Sequence, residues 1–234
     1  MQYRDIHPFQ VSYSEALEIQ NRLKLMVETT PLGHPVRYVA GADISYSKGD
    51  NRLFAGIVVL TFPGLEKVEE VRAEGEAAFP YIPGLLSFRE APPLLAAFSR
   101  LRHEPDVTIF DGQGIAHPRR LGIAAHLGVI LDRPTIGCAK SRLIGKYAGP
   151  GEHKGDRSPL QYEGETVGMV LRTRSRTKPV FVSIGNKIDL DTAVALVLAC
   201  TRTYRLPEPT RQAHILANRI RVEAQGLTPR TQLL

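Results

Sequence analysis

Val107-Thr108-Ile109-Phe110 is a run of β-branched and aromatic side chains, the composition of a buried strand. It is closed by Asp111-Gly112-Gln113-Gly114-Ile115-Ala116-His117-Pro118-Arg119-Arg120. The first two glycines let the backbone turn sharply and approach a ligand. In an open α/β sheet, ligands bind at the C-terminal edge of the strands. An acid there, with a glycine loop, a histidine and two arginines behind it, suits a metal ion facing a phosphate. The same residues also suit a plain strand-to-helix turn, since Asp and Gly are common turn formers.

The surrounding pattern predicts a mixed α/β domain. Apolar residues at helical spacing predict a helix over 12–28, capped by Ser12 or Ser14 and ended by Pro31, Gly33 and Pro35. Strands follow over 39–46, 53–62 and 67–77, the first two joined by a hairpin turn at 47–51. A helix over 85–101 is expected to bend or break near Pro92-Pro93. Strand 107–110, helix 120–131 and strand 135–138 come next, then an antiparallel pair at 166–172 and 180–184. Helices over 189–200 and 210–222 close the chain. Residues 1–222 read as one catalytic domain and 223–234 as a flexible tail.

With 43% hydrophobic residues among 234, the chain can bury one large core. No apolar run approaches the roughly 20 residues that span a bilayer, and the polar N-terminus lacks a secretory h-region. A cytoplasmic protein without a membrane partner is expected. Cys138 and Cys200 lie in apolar settings and read as buried free thiols. No Cys/His cluster has the ligand spacing of a zinc site. Residues 140–187 hold 10 Lys+Arg against 4 Asp+Glu, which accounts for the whole formal net charge of +6. A basic tract that follows an acidic loop fits a phosphate-backbone binder; a solvated face is the plainer reading.

Four further segments carry chemistry-bearing residues. Asp43 is the lone acid in Tyr38-Val39-Ala40-Gly41-Ala42-Asp43-Ile44-Ser45-Tyr46, and an acid buried there needs compensation. Pro80-Tyr81-Ile82-Pro83-Gly84 is a stiff aromatic loop running into Leu85-Leu86-Ser87-Phe88-Arg89-Glu90. Gly137-Cys138-Ala139-Lys140-Ser141-Arg142-Leu143 is a small-residue turn bearing cations. His214 sits on an apolar helix, where core histidines are common.

Taken together, PYIPG with LSFRE, DGQGIAHPRRLGIA and PTIGCAKSRL resemble the endonuclease V family, repair nucleases that act beside deaminated bases, from about residue 38 to residue 220. The resemblance implies a ribonuclease H-like mixed sheet flanked by helices. It implies that Asp43, Glu90 and Asp111 hold Mg²⁺, with Mn²⁺ as a substitute. His214 and Lys140 join them in catalysis. It makes Pro80, Tyr81, Ile82 and Pro83 a wedge in the base stack. The pocket for a flipped hypoxanthine is drawn from Gly84, Leu86, Gly112, His117, Gly122 and Leu143. Tyr81, Lys140 and Arg142 contact the nucleic acid.

The implied reaction hydrolyses a phosphodiester one nucleotide 3′ to inosine, leaving 3′-hydroxyl and 5′-phosphate ends. The implied protein is a monomer acting on damaged DNA, with single-stranded DNA or RNA as further substrates. Rival readings are another ribonuclease H-like nuclease directed at junctions or RNA, an inosine-RNA endonuclease, and a nucleic-acid-binding protein with a dead site.

Overall fold

The computed structural model describes residues 1–47 and 49–226. Among the described residues, eight strands form one mixed sheet: β1 (Tyr38–Tyr46), β2 (Arg52–Thr61), β3 (Lys67–Glu76), β4 (Val107–Phe110), β5 (Thr135–Ala139), β6 (Arg157–Tyr162), β7 (Glu165–Leu171) and β8 (Val180–Asn186). Their order is β3-β2-β1-β4-β5-β8-β7-β6. The central β1, β4 and β5 run parallel, and the other pairs are antiparallel. The helices are α1 (Tyr13–Leu23), α2 (Leu86–Phe98), α3 (Ile123–Leu131), α4 (Leu190–Ala199) and α5 (Glu208–Ala224). This is the mixed α/β domain that the sequence pattern predicts, in the ribonuclease H-like form that the family resemblance implies.

Two apolar layers sandwich the sheet. Val39, Val58 and Ile109 pack with Val194 and Val197 of α4 and Leu216 and Ile220 of α5. On the other face, Ala40, Ala42 and Ile57 pack with Leu94 and Phe98 of α2 and Leu127 of α3. Alternate residues of a strand face opposite sides, so β1 sends Val39, Gly41, Asp43 and Ser45 toward α5. Ala40, Ala42, Ile44 and Tyr46 point toward α2. Helix α1 lies outside this sandwich, its Ala16, Ile19 and Leu23 meeting Phe88, Ala125 and Val129.

The sheet accepts α5 at unusually short range. A methyl group on Gly41 would lie 2.0 Å from the carbonyl oxygen of Pro209, and one on Gly56 would lie 2.9 Å from the backbone nitrogen of Ala217. Only glycine permits that approach at Gly41.

Several expectations need correction. Helix α2 runs unbroken through Pro92 and Pro93. The prolines remove the donors to the carbonyls of Phe88 and Arg89, but Pro93 is buried and its ring faces Gly75 of β3. Helix α3 begins at Ile123 rather than at Arg120, whose φ of 56° is left-handed. Helix α1 stops at Leu23 and continues as a 3-10 turn over Lys24–Met26, with Ser12 as its cap. Strand β6 was not expected, because Pro159 interrupts its ladder; it survives as an edge strand, where proline is tolerated. The tail boundary drawn at residue 222 falls inside α5, where Glu223 pairs with Arg72 at 2.9 Å. Residues 227–234, and Lys48 of the predicted hairpin turn, lie outside the described residues. Cys138 and Cys200 are buried free thiols, and burial raises both, Cys200 to about 12. Among the described residues no helix is long and apolar enough to cross a membrane.

Gly41→Ala is expected to destabilise the protein by roughly 1–3 kcal/mol or more, because backbone blocks the methyl group on the α5 side. Urea denaturation at equilibrium measures this; an unchanged midpoint would show that α5 relaxes freely.

Candidate active site

The parallel pairing of Ala42 with Phe110 sets Asp43 beside Asp111 at the C-terminal edge of the sheet. Burial and hydrogen bonds then assemble the rest. His214, on the second turn of α5, places Nδ1 2.7 Å from Oδ2 of Asp43. Lys140, just past β5, places Nζ 2.5 Å from Oδ2 of Asp111. Glu90 arrives from α2 on the opposite face and accepts a hydrogen bond from the hydroxyl of Tyr46, the last residue of β1. All six side chains line one cleft of about 240 Å³.

Donor atoms of Asp43, Asp111 and His214 lie within 4.8 Å of one another, close enough for one metal ion. Glu90 lines the cleft but stands outside that triplet, held by Tyr46. The electrostatics suit a cation. Burial raises the carboxyl of Asp43, and nearby Asp111 adds to this, although His214 and Lys140 oppose it. Burial likewise pushes Glu90 up to about 7, against the hydrogen bond from Tyr46. Three carboxyl groups thus crowd around the single ammonium of Lys140. A hard divalent ion, which prefers oxygen ligands, fits that donor set.

A wider cleft of about 450 Å³ adjoins the first and shares Tyr46, Glu90, Asp111 and Lys140 with it. Every residue expected in the base pocket lines it: Gly84, Leu86, Gly112, His117, Gly122 and Leu143. Arg142 lies on its rim. Of the expected wedge, Tyr81 and Pro83 reach the cleft, and Tyr81 is 66% exposed. Pro80 is exposed but does not line it. Ile82 turns inward against the cluster of Phe79, Leu85 and Phe88, which leaves Tyr81 as the one exposed aromatic of this loop.

The pocket loops are tied from behind. Gln20 of α1 is fully buried and donates to the carbonyls of Gly84 at 3.0 Å and Leu121 at 3.2 Å. Arg119 donates to Gln20 and, at 2.8 Å, to the same Gly84 carbonyl. His117 is pushed down to about 4 by burial and by Arg119, and is neutral at physiological pH.

Sequence reasoning assigned no role to Tyr46, Gln20 or Asn218. For Asn218 the signal was present, since it follows His214 by one helical turn. The basic tract is less uniform than its composition suggests. Arg172 spends its guanidinium on the carbonyls of Gly151, Thr177 and Pro150, whereas Arg174 and Arg176 are exposed.

A carboxyl whose pKa is raised by folding holds a proton that the unfolded chain has released. Its contribution to stability is full below the ordinary value of 4.5 and is lost as pH rises through about 7. In EDTA, Glu90→Gln is therefore expected to raise the melting temperature at pH 8, by about 1–2 kcal/mol in stability after allowing for the partial exposure of Glu90. The gain should shrink as pH falls toward 5. Taking the difference between the two proteins cancels the opposite trend from buried His7, His117 and His126, all held low by burial. A gain independent of pH would overturn the assignment.

Comparison with known proteins gives the same picture. A sequence profile described as Endonuclease V matches residues 19–215. An endonuclease V of Gloeobacter violaceus is 50% identical over 228 residues, covering 95% of this chain and 92% of the relative. The crystal structure of endonuclease V from Streptomyces avermitilis superimposes with a TM-score of 0.88 at 44% identity, covering 92% of this chain and 95% of that one. Endonuclease V of Ciona intestinalis, solved with a 24mer DNA containing an inosine followed by a ribo-adenosine, gives a TM-score of 0.80 at 29% identity, covering 90% and 98%. On profile, sequence and structure together, the chain belongs to the endonuclease V family.

Proposed function

We propose that this chain is a metal-dependent DNA repair endonuclease that recognises hypoxanthine and hydrolyses a phosphodiester one nucleotide to its 3′ side. The observation that carries this reading is the shared wall between the two clefts. Asp111, Glu90 and Lys140 line both the acidic cleft and the wider one that Tyr81 overhangs. A base drawn into the wider cleft leaves the adjoining backbone beside the acids.

Asp43 and Asp111 are the residues to hold Mg²⁺, or Mn²⁺ in its place, with Glu90 lining the same cleft and His214 held against Asp43. The ion, when bound, supplies positive charge against the phosphate oxygens and activates water. Water oxygen forms the new bond to phosphorus as the bond to O3′ breaks, leaving a 3′-hydroxyl and a 5′-phosphate. The ammonium of Lys140 sits beside Asp111, where it can offset charge building on the phosphate. On the base side, neutral His117 and the backbone N–H of Gly84 read the flipped purine, since the N–H groups of Gly112 and Gly122 are taken by the carbonyls of Phe110 and Gly114. Hypoxanthine presents a carbonyl where adenine has an amine, so N–H donors favour it. A mismatched base also costs less to extrude. Arg142, Arg174 and Arg176 support contacts to the backbone. The enzyme works as a single-domain cytoplasmic monomer, with RNA as a second substrate class.

Cleavage of matched inosine-containing and undamaged strands, in Mg²⁺ and in EDTA, tests the reading. Asp43→Ala and Asp111→Asn are each expected to lower cleavage by at least about 100-fold while the fold persists. Near wild-type cleavage by either variant would remove the acids from catalysis. Tyr81→Ala is expected to weaken binding to inosine in duplex DNA more than in single strands, because only the duplex must be unstacked. Its stability should barely change, since Tyr81 buries little area. Equal weakening on both substrates would refute the wedge.

A further inference from the structure

Both ring nitrogens of His214 are engaged. Nδ1 faces Oδ2 of Asp43 at 2.7 Å, and Nε2 lies 3.0 Å from Nδ2 of Asn218. Which nitrogen carries the proton depends on which end of the Asn218 amide faces the ring, and three neighbours decide that. The backbone carbonyl of His214, an acceptor only, lies 3.0 Å from Nδ2 of Asn218. Nη2 of Arg221, a donor only, lies 3.5 Å from Oδ1. Ser45 accepts from Nε of Arg221 at 2.9 Å and donates to that same Oδ1 at 2.9 Å. The amide therefore turns its NH₂ to His214, one hydrogen for the carbonyl and one for Nε2. A neutral imidazole accepting at Nε2 carries its proton on Nδ1 and gives it to Asp43.

We infer that Arg221, Ser45 and Asn218 form a relay that fixes His214 as a hydrogen-bond donor to Asp43, so that His214 orients this carboxylate instead of ligating metal. A ring nitrogen that bears hydrogen has no lone pair for an ion, and the lone pair on the other is taken by Asn218. The geometry follows from the fold. Ser45 lies two residues beyond Asp43 on the same face of β1. His214, Asn218 and Arg221 lie on one stripe of α5. Asn218, Ser45 and Arg221 are positioning residues, since each acts on Asp43 through His214.

The inference rests on the proposed metal site, but its main test is independent of turnover. Protein labelled with ¹⁵N-histidine is examined by ring-nitrogen NMR in EDTA, and the His214 signals are assigned by their loss in His214→Gln. Wild type is expected to show the neutral Nδ1–H tautomer and to keep it when Mg²⁺ is added. Asn218→Asp presents acceptors only, so it is expected to draw a proton onto Nε2. In cleavage of an inosine-containing strand, the same variant is expected to lower kcat about 10-fold with KM nearly unchanged. An Nε2–H tautomer in wild type, loss of the Nδ1 proton on adding Mg²⁺, or an unaltered ring in Asn218→Asp would each overturn the inference. A protein that shows the expected spectra but cuts nothing would instead refute the proposed function.

Discussion

Backbone-to-backbone contact between α5 and the sheet is the constraint on which the site depends. Gly41 and Gly56 lack the atoms that would hold the helix off, so it settles directly on β1 and β2. At that distance the imidazole of His214 reaches Asp43, and Asn218 and Arg221 reach Ser45. Add one methyl group at Gly41, and the helix that carries the histidine must move. The polar contacts at the sheet edge are thus a consequence of how the apolar layer beneath them packs.

The opposite face contributes by a different route. Glu90 is four residues beyond Leu86 on α2, so the helix that lines the wider cleft also carries an acid of the smaller one. The loop that presents Tyr81 runs directly into this helix and is anchored at Gly84 by Gln20 and Arg119. Buried hydrogen bonds of this kind are costly to leave unmade, and they hold the loop without closing the cleft. The two clefts therefore share one structural element, α2.

Much of this was legible in the sequence because the signals are local. The β-branched runs around Asp43 and Asp111 appear as strands close to the expected limits, whereas the residues that line the wider cleft were named by the family resemblance and not by any local pattern. The misses have physical causes. Pro159 masks β6, since an edge strand tolerates what a central one would not. Pro92-Pro93 reads as a break, and packing of Pro93 against β3 overrides it. Arg120 extends an apolar helical pattern although its left-handed backbone keeps it out of α3. Gln20, Tyr46 and Ser45 act through partners 40 to 170 or so residues away, and such pairings have no period for a single sequence to display.

The sheet is open, so it ends in two rows of strand backbone, at β3 and at β6, the latter already bridged at Gln161 by Lys146. Unpaired strand edges invite another chain to continue the ladder. Here each is spoiled for that purpose. Six of the ten residues of β3 are charged, and an incoming strand would have to match or neutralise them. In β6, Pro159 cannot donate, so any added ladder would have a gap at its middle. The charges of β3 and the proline of β6 thus disfavour strand addition at either margin of the sheet, whatever chain presents the strand.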